Sequence, residues 1–300
     1  MSITRRKFIT QGSMSLAASA FYLNNVPVFK EKVFLGLQLY TVRDEMKRDP
    51  AATLKAVADM GYRYVEHANY VNRKMYGMPV PEFKKLLDGL GLKMYSGHTV
   101  MALNHWDATK KDFTDAWKYT VEDAATAGQK FVISPSLDGR LRKNAGEFKA
   151  FMDVFNKSGE LCNKSGMKFG YHNHDFEFSQ MLEGETLYDL ILKLTDPKLV
   201  AQQLDIGNMK NGGGDAMTIL KKYPGRFELL HVKDEIPASA GTEKYESTVL
   251  GQGIIGTRAV TDTARKQGSK YFIVEQESYL NSTPMADSKK DFDIMKKWGY

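Results

Sequence analysis

The chain has 300 residues, 42% hydrophobic and 26% charged, which supplies a large core and excludes a disordered or fibrous protein. Its formal charge of +6 falls to +3 once Arg5, Arg6 and Lys7 are set aside, too mild a surplus to indicate a nucleic-acid partner. The single cysteine, Cys162, excludes an intramolecular disulfide and a cysteine-built zinc site, so a metal would need histidine and carboxylate ligands.

The N-terminus carries Thr4-Arg5-Arg6-Lys7-Phe8-Ile9, which is similar to a twin-arginine export motif. An apolar stretch from Met14 to Tyr22 follows, too short to span a bilayer, and Ala18-Ser19-Ala20 offers the small residues a signal peptidase needs. Residues 1–29 are therefore expected to be signal peptide and linker, cut near Ala20. The product would be periplasmic or otherwise exported, with no stable membrane insertion after processing, and residues 30–300 would form one domain.

From Lys32 onward, short β-rich runs alternate with helical ones, as in βα units around a parallel sheet. Strands are predicted near Val33–Tyr40, Tyr62–His67, Lys93–His98, Lys130–Ser134, Lys168–His172, Leu199–Asp205, Phe227–Val232 and Tyr271–Glu275. Helices are predicted near Pro50–Met60, Pro81–Leu90, Lys110–Ala127, Gly146–Lys164, Leu187–Leu194, Ala216–Tyr223, Thr257–Lys266 and Asp291–Trp298. Gly61, Gly91, Gly128, Gly166 and Gly268 each stand between a helical run and the next strand, where a helix C-terminus favours positive φ. Eight βα units predict an α/β fold, a single (β/α)8 barrel. The irregular segment from Asp234 to about Gly256 is a candidate lid, because βα loops stand over the mouth of such a barrel.

Polar residues collect at the C-terminal ends of the predicted strands, where barrels of this kind place their sites. Gln38 and Tyr40 end the first strand, Glu66 the second, His98 the third and His172 with His174 the fifth. Asp205, His231 and Glu275 end the last three. Strand alternation puts Gln38 on the barrel-axis face and gives His231 the face of Lys233, Glu275 that of Glu277, and His172 that of His174. Each residue alone has an ordinary structural explanation. Together, two carboxylates and an imidazole from neighbouring strands suit one divalent ion, Mn²⁺, Mg²⁺, Co²⁺ or Zn²⁺.

Gln203-Leu204-Asp205-Ile206-Gly207-Asn208, His231-Val232-Lys233-Asp234 and Val274-Glu275-Gln276-Glu277 resemble the last three metal-strand motifs of xylose-isomerase-like sugar isomerases and epimerases. Gly36 to Asp44, Ser96-Gly97-His98-Thr99 and Tyr171-His172-Asn173-His174 add a likeness to the inosose-dehydratase-like branch. The resemblance covers nearly everything after the N-terminal segment. It implies a TIM barrel holding one divalent metal through Glu, Asp, His and Glu of strands five to eight, hence Asp205, His231 and Glu275 here. The strand-five glutamate is absent: Glu177 restores the ligand type slightly downstream, whereas His172 keeps the strand position. Gln38, Tyr40, Glu66, His98 and Asn208 are expected to bind substrate, with Glu277 and His174 as catalytic groups and Glu177 as a further candidate base. Lys233 would need a lowered pKa to act as a base and fits better as an oxyanion partner.

The reading this supports is a metal-dependent isomerase, epimerase or lyase that removes a proton next to the carbonyl of a small carbohydrate. A free sugar, keto-sugar or 3-keto-glycoside is favoured over a sugar phosphate, since no glycine-rich phosphate loop opens a helix. Gly212-Gly213-Gly214-Asp215 reads instead as a loop with an N-cap. An apurinic endonuclease shares the fold by resemblance, but the mild charge opposes DNA. A non-catalytic periplasmic sugar-binding barrel is the alternative from another class.

Overall fold

The structure is a computed structural model and describes residues 32–300. The expected signal segment and linker lie outside the described residues. Eight parallel strands form the barrel: β1 (Phe34–Gln38), β2 (Tyr64–His67), β3 (Lys93–His98), β4 (Phe131–Ser134), β5 (Lys168–His172), β6 (Val200–Asp205), β7 (Phe227–Val232) and β8 (Tyr271–Val274). Each pairs with its sequence neighbour, and β8 closes on β1 with Phe34 opposite Tyr271. Among the described residues, eight helices of seven residues or more connect or follow them: α1 (Pro50–Met60), α2 (Val80–Gly89), α3 (Asp115–Ala127), α4 (Ala145–Asn163), α5 (Leu187–Leu194), α6 (Ala216–Lys222), α7 (Thr257–Lys266) and α8 (Pro284–Trp298).

Local signals account for these boundaries. Asp49 caps α1 by accepting from Ala52 N at 3.0 Å, Pro50 occupies the first turn, and Gly61 ends the helix at φ 113°. Gly91, Gly128, Gly166 and Gly268 also have the expected positive φ. Asp215 caps α6 through Thr218 N at 2.7 Å, in keeping with the N-cap reading of that glycine-rich stretch. The last helix begins seven residues earlier than predicted, because Thr283 caps it and Pro284 opens it.

Alternation sorts the side chains. Leu35, Leu37, Val65, Leu204, Leu230, Val232, Phe272 and Val274 pack outward against Leu54, Val57, Phe83, Leu220 and Val260 of the helices. Each fully buried residue of this type contributes about 1.5–3 kcal/mol. Inside the barrel, Phe34, Tyr64, Tyr95 and Tyr271 form an aromatic layer at the N-terminal end, with Phe34 and Tyr271 stacked at 4.8 Å. Ile133, Ala201, Leu229 and Ile273 form the next layer, and the layer above them is polar.

The segment from Asp234 to about Gly256 is not the expected lid. Asp234–Pro237 and Tyr245–Thr248 form an antiparallel hairpin. Asp234 accepts from Gly251 N at 2.8 Å and Ile255 N at 3.2 Å, while Asp291 of α8 accepts from Leu250 N at 2.9 Å. These buried carboxylates clamp the base of the hairpin to the barrel, and none of its residues lines the large cavity at the mouth.

Burial, reinforced by the charges of Asp287 and Asp234, raises the Asp291 carboxyl to about 7. Its folded pKa exceeds the unfolded value of about 3.9, so its contribution to stability is full below about pH 4 and is lost as pH rises to about 7. The loss amounts to roughly 1.4 kcal/mol per pH unit in that window. Asp291→Asn, which keeps an acceptor for Leu250 N, is expected to match the parent in melting temperature near about pH 4 and exceed it near about pH 8. Parallel curves for the two proteins would refute this.

Candidate active site

The polar layer is a continuous buried network centred on Glu66. Its carboxylate accepts from Gln38 Nε2 at 2.7 Å and Gln203 Nε2 at 2.8 Å, with His231 Nε2 at 2.6 Å and His98 Nε2 at 3.1 Å. Gln203 Oε1 in turn meets His98 Nε2 at 2.7 Å and His172 Nδ1 at 3.0 Å. Burial opposes the Glu66 charge, but His98 and His231 outweigh it and hold the carboxyl well below its usual range. Gln38 and Glu66 are fully buried and do not line the cavity, so the structure places them behind the histidines rather than against substrate.

Asp205, His231 and Glu275 bring one ligand atom each within 4.8 Å of one another. His231 Nδ1 lies 2.9 Å from Glu275 Oε2 and 3.6 Å from Asp205 Oδ2, while its Nε2 faces Glu66. Asp205 Oδ2 is buried and accepts no hydrogen bond among the described residues, although Lys233 Nζ is 3.1 Å away. The other Asp205 oxygen caps the short helix Ile206–Asn211 by accepting from Asn208 N at 2.7 Å.

The charge balance fits a divalent cation. Burial raises the Asp205 carboxyl, but Lys233 and His231 prevail and bring it to about 2; the same two cations hold Glu275 below its usual range. Glu66 is ionised as well, and Lys233 stays charged because Asp205, Glu275 and Glu277 outweigh its burial. Burial works against a charge on His231, yet Glu275 and Glu66 raise its pKa well above normal. A cation held through Nδ1 would take the place of that proton. The carboxylates Glu66, Asp205, Glu275 and Glu277 against the Lys233 ammonium would then leave a net negative charge, while Nε2–H would stay on Glu66 in the carboxylate–imidazole arrangement that orients metal-binding histidines.

The strand-five alternatives separate cleanly. Glu177 sits in the short helix Phe176–Ser179, accepting from the Tyr171 hydroxyl and from His174 N, the latter at 2.9 Å. Burial raises it to about 8, which leaves it neutral near pH 7. The structure therefore does not bring Glu177 to the ligand group or to the cavity, and corrects its expected roles as fourth ligand and base. His172 Nε2 instead points at the group, 3.8 Å from Asp205 Oδ2. Burial, followed by the charges of His231 and His98, lowers its pKa well below normal and leaves it a neutral potential ligand.

Lys233 is buried, 2.9 Å from Glu275 Oε2 and 2.5 Å from Glu277 Oε1. Its raised pKa removes it as a base, and three carboxylates occupy it as a structural cation. Gly207 makes room for it: a Cβ there would lie 2.7 Å from Lys233 Cδ. Tyr40, His98, His174, Asn208, Glu275 and Glu277 all line a cavity of about 850 Å³ at the mouth. Burial lowers the His174 pKa, and its Nδ1 has no hydrogen-bond partner among the described residues, so the ring is a neutral proton acceptor. Gln203, which joins three network residues, was not singled out as a site residue in the sequence; sharing the strand face of Asp205 was the available signal.

A closed barrel of eight parallel strands with a polar cluster and a cavity at their C-terminal ends is a TIM barrel with its site in the usual place. The family model described as xylose isomerase-like TIM barrel matches residues 54–298, and the chain belongs to that family. It is similar to an inosose dehydratase of Clostridium perfringens, 32% identical over an alignment 159 residues long that covers 48% of this chain; the match spans about half, 52%, of that relative's length. A sugar phosphate isomerase/epimerase structure from Parabacteroides distasonis superposes with TM-score 0.75 at 26% identity, covering 90% of this chain and 96% of that one. A barrel solved with a bound zinc atom shares the fold, with TM-score 0.66 at 16% identity over 88% of this chain and 97% of that one.

Proposed function

We propose that this protein is a divalent-metal-dependent isomerase, epimerase or lyase acting on an unphosphorylated sugar, keto-sugar or 3-keto-glycoside, and that it begins by removing a proton next to a carbonyl. The observation that carries this reading is the convergence of Asp205, His231 and Glu275 beside a cavity that also presents Glu277 and His174. When bound, the cation would act as a Lewis acid toward substrate oxygens. The remaining work falls to the chain: Glu277 or His174 takes the proton from carbon, Lys233 fixes the three carboxylates around it, and Glu66 holds the orientation of His231. Return of the proton gives isomerisation or epimerisation, and loss of a neighbouring substituent gives elimination.

Arg73 bears on the choice against phosphate. Among the described residues it is the one lysine or arginine lining the cavity, and Asp123 and Glu122 pair with it at 2.7 Å and 3.1 Å. The direct test is incubation in D₂O with keto-sugars and 3-keto-glycosides, with and without Mn²⁺. Deuterium should enter the carbon beside the carbonyl, or the hydrogen there should be lost on elimination. Conversion with full retention of that hydrogen would overturn proton abstraction in favour of a hydride shift, and tight binding without turnover would favour a sugar-binding barrel.

Export by the twin-arginine route belongs to the same proposal and rests on Arg5-Arg6 and Ala18-Ser19-Ala20. Exchange of both arginines for lysine should trap the protein in the cytoplasm; undiminished periplasmic recovery would contradict it.

A further inference from the structure

The cavity is larger than one sugar ring requires and has two chemically different ends. Pockets for drug-sized ligands run from about 300 to about 1,000 Å³, so its 850 Å³ falls at the end suited to two ring units. His172, His174, Asn208, Glu275 and Glu277 form the polar end. The other end, served by the loops after β2 and β3 and by α3, is walled by Val71, Arg73, Val100 and Tyr119.

Among the described residues, seven large hydrophobic side chains are exposed, and four of them line this one cavity: Tyr40 at 43%, Val71 at 58%, Val100 at 46% and Tyr119 at 43%. Scattered exposed apolar residues need no explanation, but their collection in one cavity beside a polar cluster marks a ligand surface. The wall is also fixed. Arg73 sits in a hairpin turn with Asn72, both at positive φ, its guanidinium bound to Asp123 at 2.9 and 2.7 Å and lying 4.4 Å from the centre of the Tyr119 ring. Tyr70 of the same hairpin donates to Asp123 at 2.6 Å. A prearranged planar surface of this kind binds an apolar ring with little ordering cost.

We infer that this end of the cavity is a subsite for the apolar, ring-bearing aglycone of a glycoside whose sugar occupies the polar end. The inference rests on the sugar-modifying reading above and narrows it from free sugars to glycosides. Tyr119 and Val100 supply the aglycone contact, and the paired Arg73 supplies a flat face rather than an unbalanced charge.

The test compares phenyl and methyl glycosides of the common hexoses and of their 3-keto forms, binding the full protein with Mn²⁺ present, by calorimetry. For at least one sugar, the phenyl member is expected to bind about tenfold or more tightly than its methyl partner. Y119A combined with V100S should bring that ratio close to one and leave the methyl glycoside's affinity unchanged; both residues are exposed, and an unaltered melting temperature verifies the fold. Equal affinities within every pair, undetectable binding of both members included, or a ratio that survives in the double variant would overturn the subsite. A phenyl preference without hydrogen exchange leaves the subsite standing and removes the proposed reaction. Exchange with a bare keto-sugar and no phenyl preference does the reverse.

Discussion

Asp205→Asn is expected to abolish the thermal response of this protein to divalent cations. A ligand present at a hundredfold over its dissociation constant stabilises the native state by about 2.7 kcal/mol. In a domain of this size that corresponds to roughly 5–10 °C in melting temperature. The parent should therefore lose about that much on chelation and regain it with Mn²⁺. Asp205 also caps Ile206–Asn211 through Asn208 N, so alanine would mix loss of the ligand with a cap penalty of about 1 kcal/mol. Asparagine keeps an acceptor for the cap and removes the charge that faces His231 and Lys233. The readout is the difference between chelated and Mn²⁺-supplemented melting curves for each protein. A variant that shifts as far as the parent would place the cation elsewhere.

The barrel was legible in the sequence because each βα unit repeats the same physical alternation. A strand with one aliphatic face leads into an amphipathic helix, and in most units a glycine able to take positive φ comes before the next strand. The same alternation aligned Asp205, His231 and Glu275, which the structure brings together. Glu177 misled because ligand type was weighed above strand position: the carboxylate lies one helical turn past β5 and is consumed locally by Tyr171 and His174. The cavity wall was not legible for a different reason. Tyr70 and Arg73 lie far from Tyr119 in the chain, and a two-residue hairpin turn with Asn72 and Arg73 at positive φ carries no glycine to announce it. Long-range contacts of Tyr70 and Arg73 with Tyr119, Glu122 and Asp123 fix that hairpin over α3. The Asp234 to Gly256 segment looked free because its length was visible and its buried anchor, Asp291, was not.

Glu277→Gln is expected to slow hydrogen exchange at the carbon beside the carbonyl by about two to four orders of magnitude, the usual contribution of a positioned general base. Glu277 lines the cavity, its side chain is 39% exposed, and Lys233 holds it at 2.5 Å, so it can reach substrate from a fixed point. It lies outside the Asp205, His231 and Glu275 group, so the glutamine variant should keep the full thermal response to Mn²⁺. Glu275→Gln should lose both the response and the exchange, because Glu275 faces His231 Nδ1 and Lys233 together. The pair of variants separates the two roles by comparing one binding readout with one kinetic readout. If Glu277→Gln exchanges at the parental rate while His174→Gln does not, the base is His174, whose neutral ring and unpartnered Nδ1 make it the other group able to accept the proton. If neither substitution slows exchange in a protein that still turns over, both assignments are wrong and the proton leaves by a route that uses neither side chain as its base.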